Sequence, residues 1–368
     1  MRKLTVTVFL ALLLAGSPAA ARAVCEAPVP ESEWSLVKPL ADSALMLGIA
    51  QVGDTFVVVG DRGHVLVSED GGRSWAQKRT PTRVLLTGVW FHDRNLGWAV
   101  GHDAVILRTE DGGETWCRVH FAPELERPLM DVWFADPSNG FAVGAYGYLL
   151  RSSDGGLSWR EEALNLIADA SADEEFADDD EFGDEAADDE YADDEENGAW
   201  DDDEWLDDDE VAADLHLNRI VSGNGSLFLV AEVGTVFRSD DQGFTWVALN
   251  PPYDGSFFGG LTLVDDSLLV FGLRGNMFRS WDGGQSWRGI RLPVDTSLFG
   301  GARLADGGVI VVGTAGVMLV SREGDRFRLV QRPDRKALVG AMAAGDGAVI
   351  VIGEPGIERV EQRTLAGE

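Results

Sequence analysis

The sequence predicts an all-β fold, a seven-bladed β-propeller, and three observations support that prediction. An octet with the pattern Ser/Thr-x-Asp-x-Gly-x-Ser/Thr-Trp, the Asp-box, occurs at residues 68–75, 109–116, 152–159, 239–246 and 280–287. The closing Trp residues are 41, 43, 87 and 41 positions apart, which corresponds to one blade period or about two. Apolar runs that end at Gly-rich turns precede the octets, as expected of strands buried on both faces.

Each octet is expected to form the tight turn that leads into the outer strand of a blade. Asp and Gly favour such a turn, because the carboxylate accepts backbone N–H groups and Gly adopts positive φ. One Asp per turn, spread over five turns, gives no cluster for a metal ion or for acid catalysis. We therefore assign structural roles to Asp70, Asp111, Asp154, Asp241, Asp282, Trp75, Trp116, Trp159, Trp246 and Trp287.

The Gly-rich turns give the number of blades, which is seven. They recur near Gly60, Gly101, Gly144, Gly234, Gly272, Gly313 and Gly353, and an eroded octet at 321–327 marks the sixth blade. The seventh turn has no octet after it. Trp34 precedes Trp75 by 41 residues and begins a short apolar stretch. We therefore expect this N-terminal strand to complete the last blade and close the ring, which leaves no open strand edge.

The N-terminus predicts export. Arg2 and Lys3, an apolar run over 4–14 and small residues up to Ala23 form a signal peptide over 1–23. The alternative, a lipid anchor on Cys25, is less favoured because Val24 precedes that cysteine. No later apolar run is long enough to cross a bilayer. The mature protein is expected in the periplasm or outside the cell, or in the lumen if the host is photosynthetic.

The rest of the chain divides by the repeat and by charge. The prediction is an N-terminal tail at 24–33, blades one to three with the closing strand at 34–167, an acidic insert at 168–214, blades four to seven at 215–361 and a C-terminal tail at 362–368. Whether Cys25 and Cys117 form a disulfide is left open.

The acidic insert holds 26 Asp or Glu and no Lys or Arg, and it accounts for most of the net charge of −33. Removing it restores the doubled Trp interval to one period. Such a run repels itself and is expected to be disordered. Its aromatic residues suit a basic partner or weak calcium binding, and the plain alternative is a solvating loop.

The sequence predicts no catalytic residue, no metal site and no cofactor. Asp-boxes occur in sialidases, which need a Tyr nucleophile and an arginine cluster, and only Tyr253 with Arg274 and Arg303 offers such a set. His64, His102 and Asp103 lie at adjacent turns and offer a metal alternative, with exposed polar turns as the plain interpretation. Four arginines precede an octet at the same position, which indicates an architectural role: Arg108, Arg151, Arg238 and Arg279. The acidic balance disfavours nucleic acid.

The blade formed by residues 89–91, 96–101 and 106–116 resembles the repeat of the photosystem II stability/assembly factor family. The resemblance extends from Trp34 to about Glu361, apart from the insert, and the repeat is also similar to the wider BNR class. It implies a non-enzymatic exported propeller that holds a membrane-protein subunit during assembly through an arginine-rich surface. Arg79, Arg83 and Arg94 are candidates for that surface.

We therefore predict an exported protein-binding propeller that assembles or stabilises a membrane protein complex. Its partner is expected to be an envelope or membrane protein, with a basic partner for 168–214 as a further option. The alternative is a glycan-binding or glycoside-hydrolysing BNR propeller. The candidate partner-binding residues are Arg62, His64, Arg79, Arg83, Arg94, His102, Asp103, Tyr146, Tyr148 and Arg274.

Overall fold

Seven antiparallel β-sheets follow one another along the chain in the computed structural model, which describes residues 28–168 and 215–366. The first three sheets are β1 Met46–Val52, β2 Thr55–Gly60, β3 Val65–Ser68 and β4 Ala76–Lys78; β5 Leu86–Phe91, β6 Gly97–Gly101, β7 Ile106–Thr109 and β8 Cys117–His120; and β9 Leu129–Phe134, β10 Gly140–Gly144, β11 Leu149–Ser152 and β12 Arg160–Glu162. Each sheet is one blade, and its strands lie in chain order from the inner to the outer edge.

The second half of the chain continues the same arrangement. Its sheets are β13 Leu217–Gly223, β14 Ser226–Ala231, β15 Val236–Ser239 and β16 Val247–Leu249; β17 Phe257–Thr262, β18 Leu268–Gly272, β19 Met277–Ser280 and β20 Arg288–Gly289; β21 Leu298–Arg303, β22 Val309–Gly313, β23 Val317–Ser321 and β24 Arg328–Gln331; and β25 Leu338–Ala343, β26 Val349–Gly353 and β27 Gly356–Val360. The first strands of neighbouring blades contact one another, and β25 contacts β1, so the seven blades form a ring. The predicted seven-bladed propeller is confirmed.

Helical segments among residues 28–168 and 215–366 are short and lie at connections. One α-helix, α1 Gln362–Ala366, follows the last strand, and 3-10 turns occur at Glu31–Glu33, Ala41–Ser43, Asp61–Gly63, His102–Ala104, Pro123–Leu125, Leu273–Gly275 and Thr314–Gly316. No helix in the described ranges is long and apolar enough to cross a membrane.

Apolar burial between blades holds the ring together. The second strands β6, β10, β18, β22 and β26 are buried along their whole length, because both of their faces meet a neighbouring blade. Aromatic side chains fill these interfaces. The rings of Trp98 and Phe134 stack with centroids 3.5 Å apart, across the second and third blades.

A bulge near the start of the inner strand recurs in every blade. In five blades a Gly follows the bulge, and a Cβ at Gly88 would lie 2.9 Å from the Met130 carbonyl oxygen of the next blade. Blades three and four carry Asp131 and Arg219 there instead, with Arg219 Nη1 3.7 Å from Asp131 Oδ2. Burial raises the pKa of Asp131, and Arg219 opposes that shift. The pair therefore replaces close backbone packing at one interface.

The predicted closing strand is wrong. The seventh sheet has three strands among the described residues, and the N-terminal segment runs beside the first blade. The Ser35 N–H donates to the Thr80 carbonyl (2.9 Å), and the Thr80 N–H donates to Ser35 Oγ (2.9 Å). Trp34 has no Asp-Gly turn before it to hold it on the last blade, and its indole N–H bonds Val29 instead.

The flanks of the acidic insert are described, although residues 169–214 are not. After β12 the chain reaches the fourth blade, where the Ile167 N–H donates to the Trp246 carbonyl (2.9 Å). The chain returns at Leu215, whose carbonyl accepts the Gly147 N–H (2.8 Å). The predicted signal peptide at 1–23, residues 24–27 of the predicted tail at 24–33 and residues 367–368 likewise lie outside the described ranges.

Candidate partner-binding surface

The octets close their hairpins with a repeated set of hydrogen bonds. In the second blade, Thr109 Oγ1 donates to Asp111 Oδ1 (2.8 Å) and accepts the Gly113 N–H (3.0 Å). Asp111 also accepts the N–H (2.8 Å) and hydroxyl (2.6 Å) of Thr115. The Trp116 indole N–H donates to the Gly113 carbonyl (2.9 Å). The octet carboxylates are therefore occupied inside their own turns.

These bonds keep the octet carboxylates ionised. The hydroxyl and N–H of Ser74, with Ser68, hold the pKa of Asp70 well below its usual range. Partial burial opposes ionisation of Asp282, but hydrogen bonds from Ser286 and Ser280 outweigh it and lower its pKa to about 2.

Arginines at equivalent positions of the third strand join five of the seven blades to the next blade. Arg108 Nε donates to the Gly155 carbonyl (2.7 Å), which belongs to the following octet. Arg279 Nη1 donates to the Glu323 carbonyl (2.6 Å) in the same way. Arg359 Nε reaches Gly71 (3.2 Å) in the first blade and closes the ring. The same contact is made by Arg151 to Gly243 and by Arg238 to Gly283. These contacts fit the architectural interpretation.

Alternation of strands gives the ring two faces. The octet face holds the octets and the turns between first and second strands. The turn face holds the connections between blades and the turns between second and third strands, which we call the tips. A Cβ at Gly63, in the first tip, would lie 2.3 Å from the Thr82 carbonyl of the following connection. Tips and connections therefore lie together.

The tips have a backbone conformation that their residues disfavour. In the first tip, His64 N–H donates to the Asp61 carbonyl (2.9 Å), and the two central residues, Arg62 and Gly63, have φ of 52° and 69°. This is a type I′ turn, which prefers Asn-Gly. Six tips instead place a residue other than Gly or Asn first, with φ of 52–56°: Arg62, Asp103, Tyr146, Val233, Arg274 and Ala315.

Left-handed backbone in a residue with a side chain costs about 1 kcal/mol or more, and a β-branched residue such as Val233 is an unusual occupant. Val233 and Tyr146 nevertheless expose 62% and 52% of their surface. The Tyr146 ring contacts His216 edge-on, with centroids 4.9 Å apart. Turn stability does not explain these side chains, and strained exposed positions of this kind favour a functional face.

The predicted candidates on the tips divide by exposure. Arg62, His102, Tyr146 and Arg274 are exposed, and Asp103 is half-buried. Those five residues lie on the turn face.

Two of the candidates, one histidine and one tyrosine, are instead buried. His64 lies beneath the first tip, where burial lowers its pKa. Tyr148 is 2% exposed, with the Arg127 guanidinium 5.6 Å from its ring. Neither side chain is available to a partner without rearrangement. No three His, Cys, Asp or Glu of the described ranges are placed to hold a metal ion.

The predicted arginine surface is not assembled as expected. Arg79 pairs with Glu31 and lies 5.1 Å from the Trp34 ring, and Arg83 Nε donates to the Trp34 carbonyl (2.6 Å). Both arginines therefore hold the N-terminal segment. Arg94 lies on the octet face, where its carbonyl is 2.8 Å from a Cβ built at Gly112.

The N-terminal segment forms an apolar groove that sequence reasoning missed. The groove has a volume of about 550 Å³, and Leu36, Leu40, Ala44, His64 and Arg62 are among its lining residues. Leu40 exposes 73% of its surface and Leu36 exposes 47%. Because Arg62 is the first tip, the groove opens on the turn face. It arises from the unexpected path of this segment, so no sequence pattern indicated it.

A second missed feature is a groove rich in arginine between the fifth and sixth blades. It has a volume of about 1460 Å³ and draws its lining from β20, the eroded sixth octet and α1. We call it the arginine groove. Its arginines are Arg288, Arg291, Arg322, Arg326 and Arg328. They are up to 40 residues apart, and only knowledge of the blade packing brings them together.

The residues of the sialidase alternative do not converge. The Tyr253 hydroxyl donates to the Leu273 carbonyl (3.2 Å), and its ring stacks on Phe278. Arg274 lies at a tip, whereas Arg303 ends an inner strand at the opposite face. The described residues therefore show no Tyr nucleophile beside an arginine cluster.

Cys117, at the start of β8, is disulfide-bonded. The other cysteine of the chain, Cys25, lies outside the described residues.

Comparison with known proteins gives partial matches in sequence. Residues 28–127 match the family described as photosynthesis system II assembly factor YCF48. The photosystem II stability/assembly factor HCF136, chloroplastic, of Arabidopsis thaliana is 30% identical over 104 residues, and that of Oryza sativa subsp. japonica is 29% identical over 108 residues. These alignments cover 26% and 27% of this chain and 26% of each relative. The match thus spans about a quarter of the curated relatives.

Comparison with solved structures covers nearly the whole ring. A structure described as YCF48 bound to D1 peptide has a TM-score of 0.60 at 15% identity and covers 89% of this chain and 96% of that one. YCF48 from Cyanidioschyzon merolae has a TM-score of 0.60 at 16% identity, covering 90% and 99%. An inactive virginiamycin B lyase from Staphylococcus aureus has a TM-score of 0.63 at 10% identity, covering 89% and 99%. Identities this low establish the fold alone, and the family resemblance rests on the sequence matches. The chain is therefore a seven-bladed propeller that resembles the photosystem II assembly factor family over residues 28–127, in its first blades.

Proposed function

We propose that this chain is a non-enzymatic, exported propeller that binds a membrane-protein subunit through its turn face while a membrane complex is assembled or stabilised. The proposal takes its class of client from relatives named as photosystem II stability/assembly factors and from a YCF48 structure described as bound to D1 peptide.

The single observation that carries the choice of surface is the set of tips. Arg62, Tyr146, Val233 and Arg274 occupy left-handed positions where Gly or Asn would be more stable. A protein keeps such residues where their side chains are needed, and here those side chains are cationic, aromatic and apolar. A protein partner can use this mixture, because aromatic and arginine side chains contribute most to interface energies.

The apolar groove beside Arg62 adds to the same surface. Exposed Leu36 and Leu40 sit next to a charged tip, which matches the apolar centre and polar rim of protein interfaces. Binding rather than catalysis is supported because Tyr253, Arg274 and Arg303 do not meet.

Export is part of the proposal. The leader at 1–23 would carry the chain to the periplasm, or to a lumen in a photosynthetic host. There the turn face would meet segments of a membrane protein that emerge from the bilayer.

The test compares two triple variants of the tagged mature protein. One replaces Arg62, Tyr146 and Arg274 by Gly, which suits the left-handed backbone and preserves the fold. The control replaces Glu69, Ser153 and Gln285, exposed on the octet face, by Ala. Both are used to capture partners from solubilised host membranes. We expect the control and the unmodified protein to retain the same membrane protein, and the tip variant to lose it. Equal capture by both variants would rule out the turn face.

Hydrolysis tests the non-enzymatic part. A panel of sialosides and β-glucans should remain intact with purified protein. If the unmodified protein hydrolysed one of these substrates and Tyr253→Phe did not, the non-enzymatic proposal would be overturned in favour of the glycosidase alternative.

A further inference from the structure

The arginine groove is unusual because none of its arginines forms an ion pair with a described residue. Most other arginines, such as Arg108, Arg238 and Arg332, form ion pairs with nearby acids. Arg288, Arg291, Arg322 and Arg326 are exposed and form none with described residues.

The acids in the lining do not neutralise these arginines. Asp325 is held by Arg279, with Nη1 2.8 Å from Oδ1. Asp306 and Glu323 form no ion pair with a described residue. The Arg328 guanidinium donates a hydrogen bond to the Leu365 carbonyl of α1. Four free guanidinium groups against two free carboxylates leave a positive groove on a strongly acidic protein, and such a field attracts a polyanion.

The chain itself contains a polyanion of matching chemistry. Residues 169–214 of the acidic insert hold 26 Asp or Glu, no Lys or Arg, and Phe176, Phe182, Tyr191, Trp200 and Trp205. Guanidinium groups bind carboxylates in a bidentate manner and stack on aromatic rings, so both residue classes suit the groove.

Position and length allow the contact within one molecule. The insert leaves the ring at Ile167, which is bonded to Trp246 in the fourth blade. The groove begins on the fifth blade, at Arg288 and Arg291. A segment of 46 residues reaches up to about 150 Å when extended, so it spans one blade outward and back. Tethering gives such a segment an effective concentration on the order of millimolar.

We propose that the acidic insert binds the arginine groove of its own chain. Its carboxylates supply the counter-charges that the described residues lack.

The test measures modification of arginines by phenylglyoxal in the full mature chain, read by peptide mass spectrometry. The comparison variant has the Asp and Glu residues of 169–214 changed to Asn and Gln. We expect Arg288, Arg291, Arg322 and Arg326 to react about tenfold more slowly in the unmodified chain than in the variant, because the tethered insert covers them. The difference should vanish at about 0.5 M salt, where charge interactions are screened.

Arg274 and Arg303 are internal controls, since both are exposed and neither has an ion pair with a described residue. Their rates should be the same in both proteins. Equal rates for the groove arginines in the two proteins would overturn the proposal, as would protection that weakens on dilution, which would indicate a second copy. No client is present, so the result is separate from that of the proposed function.

Discussion

Arg279 joins the fifth blade to the sixth, and replacing it by Ala measures how much such a contact stabilises the ring. The side chain is 4% exposed and bonds Ser267 Oγ (2.8 Å), the Glu323 carbonyl (2.6 Å), Asp325 (2.8 Å) and Asp265 (2.7 Å). The variant removes all four bonds and leaves their acceptors in place.

The magnitude follows from the exposure of those acceptors. The side chains of Asp265 and Asp325 are 44% and 34% exposed, so their carboxylates regain water and each loss costs about 0.5–1 kcal/mol. Ser267 and the Glu323 carbonyl lose their partner in a more buried setting, at about 1 kcal/mol each. We therefore expect Arg279→Ala to lower the free energy of unfolding by about 3 kcal/mol.

The assay is equilibrium unfolding in urea, followed by tryptophan fluorescence. Arg288→Ala is the matched control, because Arg288 also approaches Trp281 but is exposed and has no ion pair with a described residue. It should stay within about 0.5 kcal/mol of the unmodified protein. If Arg279→Ala were no less stable than this control, the blade-to-blade arginines would not stabilise the ring.

Three further predictions concern the turns. Because the pKa of Asp282 is lower in the folded protein, its ionised carboxylate stabilises the fold above about pH 4, and this contribution is lost as the pH falls through about 2. In acid unfolding curves, Asp282→Asn should therefore lose less stability than the unmodified protein between these two pH values. Val233→Gly should raise the free energy of unfolding by about 1 kcal/mol, and a decrease in urea unfolding would contradict the strained tip. Gly156→Ala should lower the free energy of unfolding by at least about 2 kcal/mol, because its Cβ would lie 2.1 Å from Trp98 Nε1. The control Gly225→Ala has a similar φ but open space around the new Cβ, and should lower it by about 1 kcal/mol. Equal melting temperatures for the two variants would refute the clash.

The sequence predicted the ring because its signal is periodic. Spacing of octet Trp residues and Gly-rich turns depends on local turn chemistry, which is the same in each blade, and the seven sheets follow it. The architectural role of the arginines before the octets could be predicted for the same reason, because a position repeated in several blades contacts the same neighbour each time.

The path of the N-terminal segment could not be predicted from the periodicity of the sequence. Trp34 stands at the correct spacing, but spacing alone does not specify a partner strand. Its place is decided by hydrogen bonds between Ser35 and Thr80 and by the contacts of Arg79 and Arg83. Those are long-range side-chain contacts without a repeat. The apolar groove at Leu40 exists only because of them.

The positions of the candidate partner-binding residues could be predicted in part. The Gly-rich turns located the tips and therefore Arg62, Tyr146 and Arg274. The importance of Val233 depends on its left-handed backbone, which the sequence Glu-Val-Gly does not reveal. The arginine groove depends on a shortened β20 and on α1 folding back toward the sixth blade, so its residues carry no common spacing.

The central claim is that the turn face meets a membrane-protein client, and site-specific photocrosslinking in the host tests it most directly. A photoreactive phenylalanine analogue is placed at Tyr146, on a tip, or at Gln285, on the octet face. Both positions are exposed, so the two proteins differ in the face they report. We predict a crosslink to a subunit of a membrane complex from position 146 and none from position 285. The same crosslink from 285 alone, or from both positions equally, would contradict the account.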